Sequence, residues 1–203
     1  MWNNVTYIII IFGQLILTAI VGSIKRAYIW CKRFRHRRGY GVHSPLAFEF
    51  ITQVVYEKAH YYAYERMKLR GDRLVFRIVN YAQPQFALEV GGDALPIELA
   101  KPSAEVVRAD SADIGRLDEM GEIGFAHISA DVANYEKWCE ALLPHFGRRS
   151  ILVIDGIYSD REKREWWRRL INHSRTGIAF DLYSAGVVMF DMTRIKQNYI
   201  VNY

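Results

Sequence analysis

Four acidic side chains follow short apolar runs of the sequence, where strands of a sheet would end. Ligands of open α/β sheets bind in the crevice beyond the carboxyl ends of the strands, so acids at these places can contact a polar ligand. The four positions are far enough apart in the sequence to belong to four different strands. The four residues are Glu89, Asp110, Asp131 and Asp155.

A glycine pair strengthens the first of these positions. Gly91 and Gly92 follow Glu89, and Asp110 lies nineteen residues beyond Gly91. Glycines let backbone approach a ligand closely, and a carboxylate beyond the second strand can accept both hydroxyls of a ribose. We therefore predict that Glu89, Gly91, Gly92 and Asp110 contact a ribose-containing ligand. The structural alternative is that such an acid only caps the next helix.

Asp131 and Asp155 are well placed for that capping role, so for them both interpretations stay open. Neither a G-x-G-x-x-G fingerprint nor a G-x-x-x-x-G-K-[ST] loop occurs, which argues against a nicotinamide enzyme and a P-loop NTPase. Two cysteines, Cys31 and Cys139, are too few for a disulfide scaffold, and no Cys/His cluster has metal-ligand spacing.

Short apolar runs alternate with helical segments beyond Pro84, which predicts βαβ units and a mostly parallel sheet. The predicted strands are Phe86–Val90, Glu105–Ala109, Ile123–Ser129, Ile151–Ile154, Ile178–Tyr183 and Val187–Phe190. The predicted helices between them are Leu95–Ala100, Asn134–Leu143 and Asp160–Asn172. The link between the last two strands is too short for a crossover, so they form an antiparallel hairpin. The fold class is a doubly wound α/β domain over residues 39–203.

Two further helices are predicted before the sheet. Ser44 suits an N-cap and Pro45 a first helical position. The second helix follows Asp72 and stops before Pro84.

A long apolar segment precedes this domain. Val5 to Ile24 is twenty residues without a charge, which as a helix spans about 30 Å, the thickness of a bilayer's hydrocarbon core. The cations follow this segment and none precedes it. That order predicts a single-pass anchor in the cell (inner) membrane, with the domain in the cytoplasm, and it argues against a cleaved signal peptide. A buried core helix is the alternative.

The net charge of +5 arises in one basic segment. Seven cations lie between Lys25 and Arg38, and Met1 to Arg38 contains no Asp or Glu. The rest of the chain holds 20 Lys and Arg against 22 Asp and Glu, so the domain is not expected to bind nucleic acid. Residues 1–38 are thus predicted as a transmembrane helix and a basic segment that attracts anionic headgroups. Contact of this segment with nucleic acid is the alternative.

Four blocks of the chain resemble bacterial class I S-adenosylmethionine-dependent methyltransferases, in a group whose chains begin HG-[IV]-HSPF. The blocks are GYGVHSPLAFEFITQVVYE (Gly39–Glu57), RLVFRIVNYAQPQFALEVGG (Arg73–Gly92), SILVIDGIYSDREKREWW (Ser150–Trp167) and FDLYSAGVVMF (Phe180–Phe190). The resemblance implies a Rossmann-like methyltransferase fold and S-adenosyl-L-methionine as cofactor. It implies cofactor contacts from Glu89, Gly91, Gly92 and Asp110, and catalytic contacts to the acceptor or a metal from Asp131 and Asp155.

This chain departs from the family at four places. Leu95 and Pro96 stand near the later glycine of the family's E-[LI]-G-T-S-x-G loop, where a side chain would crowd the cofactor. Only about a dozen residues lie between Asp110 and Ile123, which predicts a truncated or missing helix and strand. Where the family has a pair of acids after the fifth strand, this chain has Asp155-Gly156. The segment after Asp131 lacks a histidine that could serve as base.

Two hypotheses of function result. The first is a membrane-anchored S-adenosylmethionine-dependent methyltransferase that acts on an oxygen or nitrogen of a small or lipid-linked acceptor. The second is a catalytically degenerate homologue that serves as a membrane-tethered binding or scaffold module. A third possibility is a membrane-surface protein whose basic segment is the working part.

Overall fold

A computed structural model describes residues 20–24, 26–36, 38–110, 114, 117 and 121–203. Its centre is one seven-stranded sheet with the strand order β2-β1-β3-β4-β6-β5-β7. The strands are β1 (Phe86–Val90), β2 (Glu105–Ala109), β3 (Phe125–Ile128), β4 (Ile151–Asp155), β5 (Ile178–Asp181), β6 (Ala185–Met189) and β7 (Gln197–Ile200).

Helices cover both faces of the sheet. They are α1 (Pro45–Glu49), which continues as a π-helical turn over Phe50–Val55, α2 (Arg70–Ala82), α3 (Leu95–Ala100), α4 (Tyr135–Leu142) and α5 (Arg161–Asn172). Short 3₁₀ turns occur at Phe34–His36, Tyr62–Arg66 and Leu143–His145. Residues 20–24 and 26–32 are also helical and are called the N-terminal helix below. As predicted, Ser44 caps α1: its side chain accepts from the Ala47 amide.

The predicted parallel sheet is confirmed, and so is the antiparallel pairing of its last predicted strands. β6 lies antiparallel between β4 and β5, and the remaining strands all run in one direction. The hairpin does not form the edge of the sheet, because β7 pairs parallel with β5 outside it. β7 spans four residues of alternating burial, too short and too polar to stand out in the sequence.

The opposite edge of the sheet is formed by β2. Within the described part of the chain β2 pairs with β1 alone, so it forms the other edge. Of residues 111–120, positions 114 and 117 are described, and Leu117 is buried against the sheet. The carboxyl ends of the adjacent parallel strands β2, β1, β3 and β4 therefore lie side by side.

Two apolar layers hold the helices to the sheet. On one face, α1, its π-helical continuation and α2 pack on Ala87, Phe125 and Val153, and Phe50 contacts Phe180 with 4.7 Å between ring centroids. On the other face, the buried side chains of α4 and α5 pack on alternate residues of the same strands. This alternation fixes which side chains of β1, β3 and β4 share a face.

No helix among the described residues is long and apolar enough to cross a membrane. The predicted span Val5–Ile24 lies outside the described residues as far as position 19, and residues 20–24 belong to the N-terminal helix.

Gly186 of β6 provides a test of the second apolar layer. A Cβ added there would lie 2.5 Å from the Trp167 ring of α5, and Trp167 is buried. Overpacking of this kind costs about 1–3 kcal/mol. We expect Gly186→Ala to lower the free energy of unfolding by that amount, measured by urea titration of the full chain. Gly22→Ala is the control, because nothing lies within 4 Å of that position; equal stability of the two variants would contradict the packing described.

Candidate functional site

The carboxyl ends of β1, β3 and β4 bring three charged side chains together. Glu89 of β1 is in register with His127 of β3, which is in register with Val153 of β4. Residues in register point to the same face, and Asp155 lies two positions beyond Val153, on that face again. Glu89, His127 and Asp155 thus form one cluster, called the charged triad below, between the sheet and α2.

Distances within the charged triad are those of ion pairs. His127 Nδ1 lies 2.9 and 2.8 Å from the two carboxylate oxygens of Glu89. His127 Nε2 lies 3.3 Å from Asp155 Oδ2, but it makes no hydrogen bond in a suitable direction. Glu89 is 1% exposed and His127 8% exposed, whereas the Asp155 side chain is 30% exposed. The triad therefore reaches from the buried sheet to the surface at Asp155.

The two carboxylates keep the imidazole protonated. Burial alone would lower the pKa of His127, but its contacts with Asp155 and Glu89 outweigh burial and raise that pKa from 6.5 to about 10. Burial raises the pKa of Glu89, and hydrogen bonding to His127 opposes this. The N-terminus of α2 adds partial positive charge nearby, since a Cβ built on Gly71 would lie 3.8 Å from Asp155 Oδ2.

Both glycines after β1 are required by their surroundings. Gly91 has a φ of +72°, a conformation that L residues rarely adopt, and a Cβ there would lie 2.5 Å from Val132 Cγ2. A Cβ on Gly92 would lie 2.2 Å from Glu89 Oε1. The carboxylate of Glu89 therefore rests against the glycine turn and fixes it from below. Glu89 itself is buried and its carboxylate faces His127, so its contact with a ligand stays a prediction.

Asp110 and Gly91 are neighbours across the sheet. Val90 of β1 is in register with Ala109 of β2, so Gly91 and Asp110 leave the two strands at the same level. Adjacent strands are about 4.8 Å apart. Asp110 is exposed, and the predicted pairing of a glycine turn with an acid at the end of the next strand is therefore present in the fold.

Leu95 does not have to adopt a left-handed conformation. It begins α3, and its amide donates to Asp93 Oδ1 at 2.9 Å. Pro96 occupies the first turn of that helix, where a missing amide hydrogen costs nothing. The glycine turn is thus short and leads directly into α3.

Asp131 lies in the exposed turn after β3. The neighbouring carbonyl oxygen of Ala130 accepts a 2.9 Å hydrogen bond from Lys163 Nζ. Lys163 is 2% exposed, and burial lowers its pKa, against the attraction of Asp160, Asp155 and Asp131. This buried lysine of α5 ties the turn that carries Asp131 to the body of the domain.

The N-terminal helix joins the domain at the carboxyl end of β5. Arg33 donates to both carboxylate oxygens of Asp181, the last residue of β5, at 2.8 and 3.1 Å. The guanidinium lies 5.4 Å from the ring centroid of Tyr158 and 5.2 Å from that of Tyr183. A bidentate, mostly buried pair of this kind is among the stronger charge contacts in proteins.

Within the described residues, no group of three His, Cys, Asp or Glu side chains could hold a metal ion.

Sequence reasoning missed His127, which is the centre of the charged triad. The available signal was its place in a predicted strand between two strands that end in acids. Of the two residues predicted to be catalytic, Asp155 contacts His127 and Asp131 is exposed in the turn after β3, and both carboxylates attract the charge of Lys163.

Replacing His127 tests the charged triad. In His127→Gln the buried Glu89 loses its cation, which costs about 3–5 kcal/mol of unfolding free energy. Since the folded pKa of His127 is about 10 and its ordinary value 6.5, the stabilisation is complete below pH about 6.5 and is lost toward pH 10. The difference in urea stability between the wild type and His127→Gln is therefore expected to shrink over that range.

Two further variants control this measurement. His43→Gln changes an exposed histidine and should leave the stability unchanged. Glu89→Gln/His127→Gln removes both buried charges and should recover part of the loss. A pH-independent difference between the wild type and His127→Gln would show that His127 is not held protonated.

Solved structures similar to this chain are methyltransferases. An S-adenosylhomocysteine-bound methyltransferase of Podospora anserina has a TM-score of 0.50 and 11% identity, covering 83% of this chain and 95% of its own. A Staphylococcus aureus protein assigned as a caffeoyl-CoA O-methyltransferase has a TM-score of 0.49 and 10% identity, covering 82% and 99%. No protein-family model matches the chain, and no curated protein matches it either. The likeness shows the fold: the domain is built like a class I methyltransferase.

Proposed function

We propose that this protein is an S-adenosyl-L-methionine-dependent methyltransferase of the membrane surface. The observation that carries the proposal is the glycine turn at Gly91 beside Asp110, at the carboxyl ends of adjacent parallel strands. The fold shared with the S-adenosylhomocysteine-bound methyltransferase supports it. The cofactor supplies a methyl group on a sulfonium, and a protein of this kind mainly aligns the acceptor and excludes water.

The residues at this edge fit an S-adenosyl ligand. Gly91 and Gly92 carry no side chain that would keep backbone from the ligand, and the Asp110 carboxylate can accept hydrogen bonds from both ribose hydroxyls. Glu89 acts indirectly, because it supports the turn from the buried side. Val132 packs against Gly91, so the ligand has to occupy the side of the turn that faces Asp110.

Asp131 is the residue we assign to the acceptor. It is exposed, and the Lys163 contact to Ala130 fixes the turn on which it stands. Its carboxylate can accept a hydrogen bond from a hydroxyl or amine of the acceptor and so orient the nucleophile. Asp155 is already paired with His127 and contributes a fixed charge at the border of the crevice.

A lipid-linked acceptor suits the position of the N-terminal helix. Arg33 joins this helix to Asp181 at the carboxyl end of β5, and Gly91 and Asp110 follow the carboxyl ends of β1 and β2. What the two places share is the carboxyl end of the strands, since β1, β2 and β5 run in the same direction. An anchor formed by residues 5–24 would therefore hold the carboxyl ends of the strands toward the bilayer. We propose the cell (inner) membrane as the location, with the domain on the cytoplasmic side.

The engagement of Glu89 and Asp155 by His127 favours a second candidate, a degenerate homologue that binds without turnover. Such a protein would act as a membrane-tethered binding or scaffold module. The two functions differ in whether methyl transfer accompanies ligand binding, so binding and transfer have to be measured on the same protein.

Calorimetric titration of the full chain in neutral detergent with S-adenosylhomocysteine tests the cofactor site. We expect saturable binding that weakens at least about tenfold in Asp110→Asn, because a charge-assisted hydrogen bond to a ribose hydroxyl is worth about 1.5–3 kcal/mol. Glu105→Gln is the matched control, since Glu105 is an exposed acid at the other end of the same strand. No detectable heat at millimolar ligand would exclude the cofactor site.

The same preparation is then incubated with methyl-labelled S-adenosylmethionine and an extract of bacterial lipids. We expect label in the organic phase for the wild type and a loss of it in Asp110→Asn. Binding of S-adenosylhomocysteine without transferred label would instead support the non-catalytic module.

Membrane attachment has its own test. Residues 1–38 fused to a soluble reporter are expected to sediment with membranes and to resist extraction by carbonate, because Val5 to Ile24 carries no charge. A fusion that replaces Ile9, Ile10 and Ile11 with aspartate is expected to stay in the supernatant. A wild-type fusion that also stays there would contradict the anchor.

A further inference from the structure

A cavity of about 900 Å³ lies at the base of the N-terminal helix, away from the charged triad. Two arginines and three aromatic side chains contribute most of its wall: Phe34, Arg35, Arg38, Tyr40 and Phe48. Both arginines are exposed, and among the described residues that line the cavity none is acidic. The first acid in the whole sequence is Glu49, so no carboxylate of the preceding chain can neutralise these cations.

The backbone of this wall is fixed. Arg38, Gly39 and Gly41 have φ values of 53°, 75° and 77°, and the buried Gly39 lies against the Phe48 ring, where an added Cβ would be 2.8 Å from Cδ2. Asn202 binds the adjoining segment through its amide, which donates to the His36 carbonyl, and through its side chain, which donates to the Trp30 carbonyl. Together with the Arg33–Asp181 pair, these contacts hold the cavity in place relative to the domain.

The surroundings indicate which anion fits. Ile20, Val21 and Ile24 of the N-terminal helix are 50%, 57% and 64% exposed, and the preceding residues 5–19 carry no charge. Exposed apolar side chains beside a cationic site are expected where lipid chains and headgroups meet. The aromatic rings of Trp30, Phe34 and Tyr40 are of the type enriched at that depth. The cations would also suit nucleic acid, but the exposed apolar side chains near them would not.

We propose that this cavity is a binding site for the phosphate headgroup of an anionic phospholipid. Arg35 and Arg38 pair with the phosphate, and the aromatic side chains contact the glycerol and the upper part of the acyl chains. The inference rests on the membrane location proposed above but not on methyl transfer. It assigns to the basic segment a specific lipid contact in addition to its general attraction to an anionic surface.

The test uses the full chain in dodecyl maltoside, labelled at Cys31 with an environment-sensitive fluorophore. Cys31 is exposed at the helix base and Cys139 is buried, so the label reports on this site. Titration with phosphatidylglycerol in mixed micelles is expected to give a saturable signal. Arg35→Gln/Arg38→Gln should weaken it about thirty-fold, at about fivefold for each cation near an anionic surface.

Arg161→Gln/Arg168→Gln removes two exposed arginines from α5 and should bind phosphatidylglycerol as the wild type does. An equal response to phosphatidylcholine, or unchanged binding by Arg35→Gln/Arg38→Gln, would overturn the proposal. An equal response to glycerol phosphate would assign the cavity to a soluble phosphate instead of a lipid. The urea unfolding transition of each variant shows separately whether the domain is folded, whether or not it binds S-adenosylhomocysteine.

Discussion

The contact between Glu89 and His127 is the constraint on which the carboxyl edge of the sheet depends. A buried carboxylate is stable only with a partner, and here the partner comes from the neighbouring strand in register. A slip of one residue would turn the imidazole to the other face, among the apolar side chains that meet α4 and α5. The pair therefore fixes the register of β1 and β3. Because Glu89 also rests against Gly92, it fixes the glycine turn as well.

This arrangement divides the edge into two parts with different tasks. On the β2 side, Asp110 and the glycine turn are exposed, and the carboxylate of Glu89 supports that turn from the buried side. On the β4 side, Asp155 is restrained by His127, whereas Asp131 is exposed on a turn tied down by Lys163. Two aspartates that look equivalent in the sequence therefore differ in their freedom to meet a second substrate. The proposed site places the cofactor on the first side and the acceptor at Asp131.

The sequence was sufficient for features that depend on neighbouring residues. β1, β2 and α3 have the predicted bounds, because apolar runs and helix signals with clear ends set them. Contacts between distant segments were not predictable in this way. His127 lies 38 positions from Glu89, and Arg33 lies 148 positions from Asp181. β7 was missed because a short edge strand exposes half of its residues and has no continuous apolar run. Such pairings become visible only once the strand order is known.

The attachment of the N-terminal helix to the domain would determine which side of the domain faces a bilayer. Most residues of that helix are exposed, so little besides its base sets its orientation. The base is held by Arg33 between two tyrosine rings and by Asn202, both at the carboxyl ends of β5 and β7. Since all parallel strands have their carboxyl ends on this side of the domain, the one attachment places the helix beside the carboxyl ends of the strands. A flexible tether would leave the domain free to turn the proposed site toward the aqueous phase, whereas an attachment of this kind would restrict the proposed site to acceptors on the helix's side.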